Sequence, residues 1–264
     1  MIQFNSDWQL PAFTPEVFHP RRTRYCVCVF VINEGERIRA QLARMESLAP
    51  AGDIVIADGG STDGSLASDF VQARGVRAVL TKTGPGKLSA QMRMGLAWAM
   101  SEGYEGVVSV DGNGKDGIDA IPRFHSALSE GWDHVQGSRY VSGGAAINTP
   151  FLRHWGVLLL HAPLISLAAR HRYTDTTNGF RAYSRRFLLD PRVLPFRDVF
   201  TAYELHYYLA IRAARLGFRV TEIPVTRAYP ENGGTPTKIA GFRGNWGVLR
   251  TLFAACAGRF DPPD

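Results

Sequence analysis

The sequence predicts an α/β protein whose mostly parallel, doubly wound sheet carries helices on both faces. Short apolar runs rich in β-branched residues alternate with stretches whose apolar residues repeat at helical spacing. Polar, glycine-rich turns follow three of the runs. With 264 residues, 45% of them hydrophobic, the chain is long enough for one large domain or two small ones, and we expect one.

Four strands are expected in chain order: residues 25–32, 53–57, 76–80 and 107–110. The first is an almost continuous apolar run, which is typical of a strand buried on both faces. Helical stripes follow the first and third strands and consist of Ile38, Leu42 and Met45 and of Leu88, Met92, Leu96 and Met100. Residues 1–24 contain three prolines and predict an irregular arm before a domain of residues 25–243, which an amphipathic helix and tail follow at 244–264.

The formal charge of +6 is unevenly distributed. Residues 1–149 carry 14 Lys and Arg against 16 Asp and Glu, whereas residues 150–264 carry 16 against 8. An acidic half beside a basic half suggests an anionic ligand that spans both. Nucleic acid is not expected, because the chain has no aromatic-interleaved basic repeat and no zinc-finger spacing.

The three cysteines, Cys26, Cys28 and Cys256, are expected to be small buried hydrophobes in a reducing compartment. Cys26 and Cys28 lie two apart on one face of a strand and are poorly placed to bridge each other. The N-terminus lacks the apolar core of a signal peptide, and no stretch reaches the ~18 uninterrupted apolar residues of a spanning helix. We therefore expect a cytoplasmic protein.

The fourth strand runs directly into an acidic, glycine-rich turn. Asp111 ends the strand, Asn113 lies two positions on, and Asp116 is within reach on the same turn. Open α/β sheets bind ligands at the carboxyl ends of their strands, and hard divalent cations take carboxylate and amide oxygens. The turn therefore predicts a metal site. The alternative is a capped turn, because Asp, Asn and Gly are also the ordinary turn residues.

Six segments in order make the chain similar to the family 2 glycosyltransferases of the GT-A fold. Within them it most resembles the polyprenyl-phosphate sugar synthases, typified by dolichol-phosphate mannose synthase. The segments are Asn33-Glu34, Asp58 to Ser65, Asp111-Gly112-Asn113, Gly137-Ser138-Arg139-Tyr140 with Gly143-Gly144, Asp175 to Arg181, and Glu222-Ile223-Pro224-Val225. The resemblance extends from about Tyr25 to about Arg243.

The resemblance implies a nucleotide-sugar donor, a metal ion and an acceptor in one site. The donor residues that it implies are Val31, Asn33, Glu34, Asp58, Gly60, Ser61, Lys87, Asp111 and Gly112, with Glu34 and Asp58 around the base and ribose. Asp111 and Asn113 would hold Mg²⁺ or Mn²⁺ against the diphosphate, and Asp116 would compensate for the neutral amide of Asn113. Arg139 would face the acceptor phosphate, while Arg181 and Lys238 would cover the far side.

Structural alternatives exist for several of these residues. Glu34 could be an acid in the first turn of a helix, and Asp58 could be a turn former. Arg139 could be a surface arginine, and Arg181 could lie on a solvated strand face. The chain also departs from the family pattern in three places, which are Phe30 and Ile32 before Asn33, Asn113 in place of an acid, and Gly233 to Lys238 in place of a Gly-x-Ser-Lys segment.

The acceptor follows from the chemistry that the chain can support. A phosphate acceptor is already ionised near neutral pH and needs little help from a base, whereas a sugar hydroxyl would need a carboxylate base. Asp175 and Glu204 are the candidates for such a base. We favour transfer to a polyprenyl phosphate. The alternatives are transfer to a sugar hydroxyl of a glycan or small molecule, and a non-catalytic protein that binds nucleotide sugars.

Two apolar segments predict contact with a membrane surface. Pro150 to Arg172 has basic residues at both ends, and Phe242 to Phe260 has arginines around an apolar stripe. Each reads as an amphipathic helix that lies in the interface and presents a lipid-linked acceptor, and the first could instead be a core helix. Peripheral association with the inner face of the membrane is therefore expected, whereas the sequence does not fix an oligomeric state.

Overall fold

The structure is a computed structural model that describes residues 4–48, 52–231 and 241–263, with only the backbone for residues 241–245. The strands are β1 (Phe13–Val17), β2 (Tyr25–Val31), β3 (Asp53–Asp58), β4 (Val76–Lys82), β5 (Gly106–Asp111), β6 (His134–Ser138), β7 (Ala145–Ile147), β8 (Arg181–Ser184), β9 (Val220–Pro224) and β10 (Thr226–Ala228). The helices are α1 (Glu36–Ser47), α2 (Ser68–Ala73), α3 (Leu88–Ser101), α4 (Ile121–Ser129), α5 (Phe151–Gly156), α6 (Ala162–Ala169), α7 (Arg185–Leu188), α8 (Glu204–Arg215) and α9 (Gly241–Cys256). A 3₁₀ turn, Ile118–Ala120, precedes α4, and a π-helical turn, Val157–His161, joins α5 to α6.

Eight of the strands form one sheet in the order β1-β4-β3-β2-β5-β8-β6-β9. The neighbours β4, β3, β2 and β5 are parallel, as are β6 and β9. β8 runs antiparallel between β5 and β6. The predicted α/β class with a mostly parallel sheet is confirmed, and the four predicted strands correspond to β2, β3, β4 and β5.

The sheet is covered on both faces. All residues of β2 are buried, because alternate side chains enter separate cores. Cys26 and Cys28 pack with α3, α7 and α8 on one face, while Val27 and Val29 pack with α1 and α4 on the other. Both cysteines are free and fully buried, as expected.

The N-terminal arm is not irregular throughout, which corrects the prediction for residues 1–24. Phe13–Val17 forms the edge strand β1, antiparallel to β4. Pro15 reads as a break in the sequence, but an edge strand tolerates proline because only one side needs a ladder of hydrogen bonds. Four of the five residues of β1 are exposed, and Phe13 is half-buried.

The segment Phe151–Ala169 consists of α5, the π-helical turn and α6, which together form one helical stretch on the surface. It has 19 residues and a mean hydropathy of 1.3 in its most apolar window, where only 17% of the residues are buried. By length and composition it could cross a membrane, contrary to the expectation that no such segment exists. Phe151 (74% exposed), Leu159 (71%) and Leu167 (79%) face outward, so the core-helix alternative does not hold for this face.

Candidate functional site

A cavity of about 850 Å³ lies at the carboxyl ends of β2 and β5. Seven cationic side chains but only two carboxylates line it among the described residues. The cations are Lys82, Lys87, Lys115, Arg139, Arg153, Arg181 and Arg227, and the acids are Glu34 and Asp111. Such a wall suits an anionic ligand.

The antiparallel strand β8 completes the cavity. Because β8 runs against its neighbours, the loop before it arrives at the edge where β5 ends. Gly179 therefore lies beside Asp111, and a Cβ at position 179 would meet Asp111 Oδ1 at 3.1 Å. Ser109 Oγ donates to Gly179 O at 2.9 Å and fixes this loop on β5.

Half-buried Asp111 lies beside two buried residues, Asp116 and Arg227, and we call these three residues the Asp111 cluster. Arg227 Nη1 lies 2.7 Å from both carboxylate oxygens of Asp116, and Nη2 donates to Asp111 Oδ2 at 3.0 Å. Asp116 is 1% exposed and is absent from the described cavity wall. The expected role of Asp116 as a metal ligand conflicts with this ion pair, because Arg227 occupies both of its oxygens.

The turn after β5 is held from α1. Gln41 Nε2 donates to Asp111 O at 3.0 Å, and Gln41 Oε1 accepts from Gly114 N at 2.9 Å. Gly112 packs against β2, where a Cβ would meet Val31 Cγ2 at 2.7 Å. Asn113 lines the cavity, and its Nδ2 lies 3.3 Å from Asp111 Oδ2. The Oδ1 of Asn113 accepts from Lys115 N at 3.3 Å, so the amide would have to rotate for its oxygen and the Asp111 carboxylate to bind one cation.

The charges of the cluster keep Asp111 ionised. Burial alone would raise the pKa of Asp111, but the positive charges of Arg227 and Lys115 hold that pKa below its usual range. Burial and the neighbouring Arg227 lower the pKa of Lys115. Asp111 is therefore an ionised carboxylate with Arg227 as its partner, and the side chain of Lys115 lines the same cavity wall.

Arg139 and Asp175, predicted as acceptor ligand and base, contact each other. Asp175 is fully buried, and Arg139 also donates to Thr177 Oγ1 at 2.8 Å. Glu222 supports the pair from β9, because its carboxylate accepts from Thr174 N at 2.9 Å and from Asp175 N at 3.2 Å. The surface alternative for Arg139 is wrong, since this residue is 4% exposed.

Arg181 is buried and organises the backbone around the cavity. Its guanidinium donates to Asn178 O at 2.9 Å, to Thr176 O at 2.7 Å and to His206 O at 2.5 Å. The alternative of a solvated strand face is wrong, because Arg181 is 1% exposed. All three of these partners are neutral carbonyl groups, so they do not neutralise the positive charge of Arg181. This charge can therefore attract an anion in the cavity, which Arg181 lines.

Glu204 lies at the first turn of α8 and serves the backbone. Its Oε2 accepts from Ala202 N at 2.7 Å and from Thr201 N at 3.1 Å. Glu204 is absent from the described cavity wall. Both donors are backbone groups of its own turn, so these contacts favour a structural role for Glu204, and its catalytic role stays a prediction.

Six of the nine predicted donor residues lie at the ends of β2 and β3 or on the turns that follow them, whereas Lys87 precedes α3 and Asp111 and Gly112 lie at the end of β5. Asn33 has a positive φ of 48°, and its Oδ1 accepts from Thr62 N at 2.8 Å. Asp58 accepts from Ser61 Oγ at 2.6 Å and is only 3% exposed, so it holds the turn together. Val31, Glu34 and Lys87 line the cavity, while Gly60 adopts φ 95° in the second turn.

Lys238 and the segment Gly233 to Thr237 lie outside the described residues. No group of three or more His, Cys, Asp or Glu side chains in the described parts of the chain could hold a metal ion. The oxygens that fit one are therefore few: the carboxylate of Asp111 and the amide of Asn113. Mg²⁺ typically takes one or two carboxylates and completes its shell with water and substrate phosphate, so this pair fits.

Several residues of the cavity wall, above all Arg227, were not predicted from the sequence. The sequence contains one signal for Arg227: it is a charged residue in a strand-like stretch, between Val225 and Tyr229. Both Val225 and Tyr229 are buried. His161 and His206 also line the cavity, and burial lowers their pKa values to about 4 and about 3. Both imidazoles are therefore neutral at pH 7.

No family model matches the sequence. The chain is 30% identical over 209 residues to undecaprenyl-phosphate mannosyltransferase of Micrococcus luteus, covering 76% of this chain and 82% of that protein. It is 30% identical over 247 residues to polyprenol monophosphomannose synthase of Mycolicibacterium smegmatis, covering 87% and 89%.

Among solved structures, glucosyl-3-phosphoglycerate synthase from Mycobacterium tuberculosis shares the architecture. Its complex with Mg²⁺ and UDP has a TM-score of 0.62 at 20% identity, covering 91% of this chain and 80% of that one. Its complex with Mn²⁺, UDP-glucose and phosphoglyceric acid has a TM-score of 0.59 at 21% identity, with the same coverage. This likeness confirms the predicted GT-A fold.

Proposed function

This chain belongs to the family 2 glycosyltransferases, in the branch of the polyprenyl-phosphate sugar synthases, and we propose that it transfers a sugar from a nucleotide sugar to a polyprenyl phosphate. The observation that carries this proposal is that the helical stretch Phe151–Ala169 has two different faces. Arg153, Val157 and His161 line the cationic cavity, while Phe151 and Leu159 of the same stretch are exposed to solvent. The phosphate of a polyprenyl phosphate could thus bind in the cavity while its lipid chain lies along the apolar outer surface of the same helical stretch.

The donor diphosphate is proposed to lie between the turn after β5 and the cations of the β4–α3 connection. Lys82 and Lys87 line that side, and Gln91 is held there by hydrogen bonds from its Nε2 to Val31 O (2.7 Å) and Ala57 O (2.8 Å). Glu34 lines the cavity near the end of β2. GDP-mannose and UDP-sugars are both candidates for the donor.

Asp111 and Asn113 are the residues that would hold one Mg²⁺ or Mn²⁺ ion. The hydrogen bonds from Arg227 and Asn113 both reach Oδ2 of Asp111. A bound divalent ion would supply Lewis-acid stabilisation of the negative charge that builds up on the leaving diphosphate. The chain's own residues then hold the diphosphate oxygens, exclude water and position the acceptor.

A phosphate acceptor agrees better with the site than a hydroxyl acceptor. Both candidate bases are engaged elsewhere, Asp175 with Arg139 and Glu204 with backbone N–H groups. An ionised phosphate needs no base, and direct attack on the far face of the sugar inverts its anomeric centre. The cavity wall supplies Arg153 and Arg181 as cations toward an acceptor phosphate.

The exposed apolar residues also support peripheral binding to a membrane. Trp246 (62% exposed) and Phe253 (53%) on α9 add to those of Phe151–Ala169, and α9 packs against α6 and α8. Lipid-facing residues on two neighbouring helices would place the mouth of the cavity at the level of the lipid headgroups.

The test is transfer by purified protein with GDP-mannose, UDP-glucose and UDP-N-acetylglucosamine as donors and Mn²⁺ present. Undecaprenyl phosphate and a free hexose serve as the two acceptors. We expect product with the lipid phosphate only, loss of product in chelator, and loss in Asp111→Ala with the fold intact by circular dichroism. Asp190→Ala, which removes a surface carboxylate paired with Arg192, is the matched control and should stay active.

Three outcomes would contradict the proposal. Transfer to the free hexose alone would identify a hydroxyl-acceptor enzyme. Binding of donor without any transfer would indicate a non-catalytic protein. Equal activity of the parent and Asp111→Ala, with and without chelator, would remove the metal ion from the site.

A further inference from the structure

Arg227 occupies a fixed position beside the carboxylate that is proposed to bind the metal ion. The backbone of β10 is tied to the turn after β5 by Gly117 N to Thr226 O at 2.9 Å and Ala228 N to Lys115 O at 2.9 Å. Asp116 and Arg227 also pair across an isolated antiparallel bridge. The guanidinium is therefore held against Asp111 by backbone hydrogen bonds as well as by its ion pairs, with Arg227 6% exposed.

The charges near Asp111 are already balanced by the chain itself. Asp111 and Asp116 contribute two negative charges, and Arg227 and Lys115 contribute two positive ones. A divalent ion on Asp111 would have to share this carboxylate with the guanidinium, which repels it at short range. In a buried site this repulsion is weakly screened by salt. The cluster alone therefore offers a divalent ion little net attraction.

A nucleoside diphosphate changes this balance, because it brings several negative charges into the cavity. We propose that Arg227 makes divalent-ion binding conditional on the donor diphosphate, so that the ion and the diphosphate bind together and each binds weakly alone. This inference rests on the proposed function, since it takes the Asp111 site as the donor site. Arg227 acts here as a positioning residue whose charge sets the coupling between two ligands.

Coupling of this kind is reciprocal, so it can be measured from either ligand. The affinity for Mn²⁺ is measured by paramagnetic resonance of the free ion, alone and with saturating GDP or UDP, in the parent and its variants. In the parent we expect Mn²⁺ to bind at least tenfold more tightly with a nucleoside diphosphate than without. Arg227→Met should bind Mn²⁺ alone at least tenfold more tightly than the parent and should show a smaller increase on addition of the nucleotide.

Three further variants separate charge from folding. Arg227→Lys keeps the positive charge and should stay close to the parent. The single variant Arg227→Met leaves the carboxylates of Asp111 and Asp116 without a guanidinium and could fail to fold for that reason. The double variant Asp116→Asn/Arg227→Met restores the charge balance and is used in that case. Arg153→Met removes a cation of the same cavity wall that donates to Tyr229 Oη at 3.0 Å, not to Asp111, and should leave Mn²⁺ affinity near that of the parent.

The inference is overturned if a folded Arg227→Met or double variant binds Mn²⁺ alone no more tightly than the parent. It is also overturned if the parent binds Mn²⁺ equally well with and without nucleotide. Failure of the proposed function would give a different result. In that case calorimetry would show that neither GDP nor UDP binds the parent, which removes both the donor site and this coupling. The Mn²⁺ affinities of the parent and Arg227→Met without nucleotide would still report repulsion by Arg227.

Discussion

Arg139, which lines the cavity, forms a bidentate ion pair with the buried Asp175, with Arg139 Nε 2.6 Å from Asp175 Oδ2 and Nη2 2.9 Å from Oδ1. Their side chains are 2% and 0% exposed. Each residue thus provides the partner that satisfies the other's charge. The pair fixes the loop before β8 to the end of β6, so its first effect is on the shape of the site.

Arg139→Lys should lower the free energy of unfolding by about 1.5–3 kcal/mol, because a lysine cannot form the planar two-bond contact with a buried carboxylate. Urea denaturation measures this loss. Arg192→Lys is the matched control, since Arg192 makes the same two-bond contact with Asp190 at the surface, at 2.9 Å for each bond. The control should lose less than ~1 kcal/mol. Equal losses in both variants would contradict a structural role for the buried pair.

Glu204→Gln should retain transfer activity within about tenfold, whereas loss of a general base typically costs ~10²–10⁴-fold. The glutamine keeps one oxygen that can accept from Thr201 N and Ala202 N, so the first turn of α8 remains capped. Initial rates at saturating donor and acceptor check this. A decrease of a hundredfold or more in a folded variant would restore Glu204 as a catalytic base.

Leu159→Glu should weaken binding to vesicles of anionic phospholipid without destabilising the protein, because this side chain is 71% exposed. Vesicle sedimentation at low and high salt gives the measurement. Val17→Glu, at a 48% exposed position on the edge strand β1, is the control and should sediment like the parent. Equal sedimentation of both variants would show that Phe151–Ala169 does not contact lipid.

Stability should fall below pH 6.5, in part because of His134. Burial above all, and then the charge of Arg181, lower the pKa of this imidazole well below its ordinary value. The folded protein keeps His134 neutral while the unfolded chain takes up a proton, so the unfolded state binds more protons and the free energy of unfolding decreases as pH falls.

His134→Phe tests this effect, because the ring packs among Tyr173, Tyr183 and Phe187 and a phenyl group suits those neighbours. Between pH 6.5 and 5 the variant should lose about 1.6 kcal/mol less stability than the parent. Urea denaturation at both pH values gives the comparison. Parallel losses would mean that His134 does not titrate on unfolding in this range.

The strands and the position of the site could be predicted because each depends on local sequence. A parallel strand buried on both faces must be apolar along its length, as β2 is. The apolar run of β5 is likewise followed by a turn of polar residues and glycine, so Asp111 and Asn113 could be placed at the edge of the sheet. Both line the cavity.

The ion pairs could not be predicted, because they join residues far apart in the chain. Arg139 and Asp175 are 36 positions apart, and Asp116 and Arg227 are 111 apart. Composition shows that Arg and Asp are present but not which of them meet. The antiparallel direction of β8 was missed for the same reason, since the alternation in Phe180 to Tyr183 is the same whichever way the strand runs.

The separation of Arg227 from its carboxylates also sets an order of assembly during synthesis. Chains leave the ribosome from the N-terminus, so β2 to β5, which end at Asp111, emerge more than a hundred residues before the guanidinium. Until then Asp111 and Asp116 must stay in water, because an unpaired carboxylate is not buried at acceptable cost. The nascent sheet can therefore form early, but its edge at Asp111 closes only after Arg227 has been made.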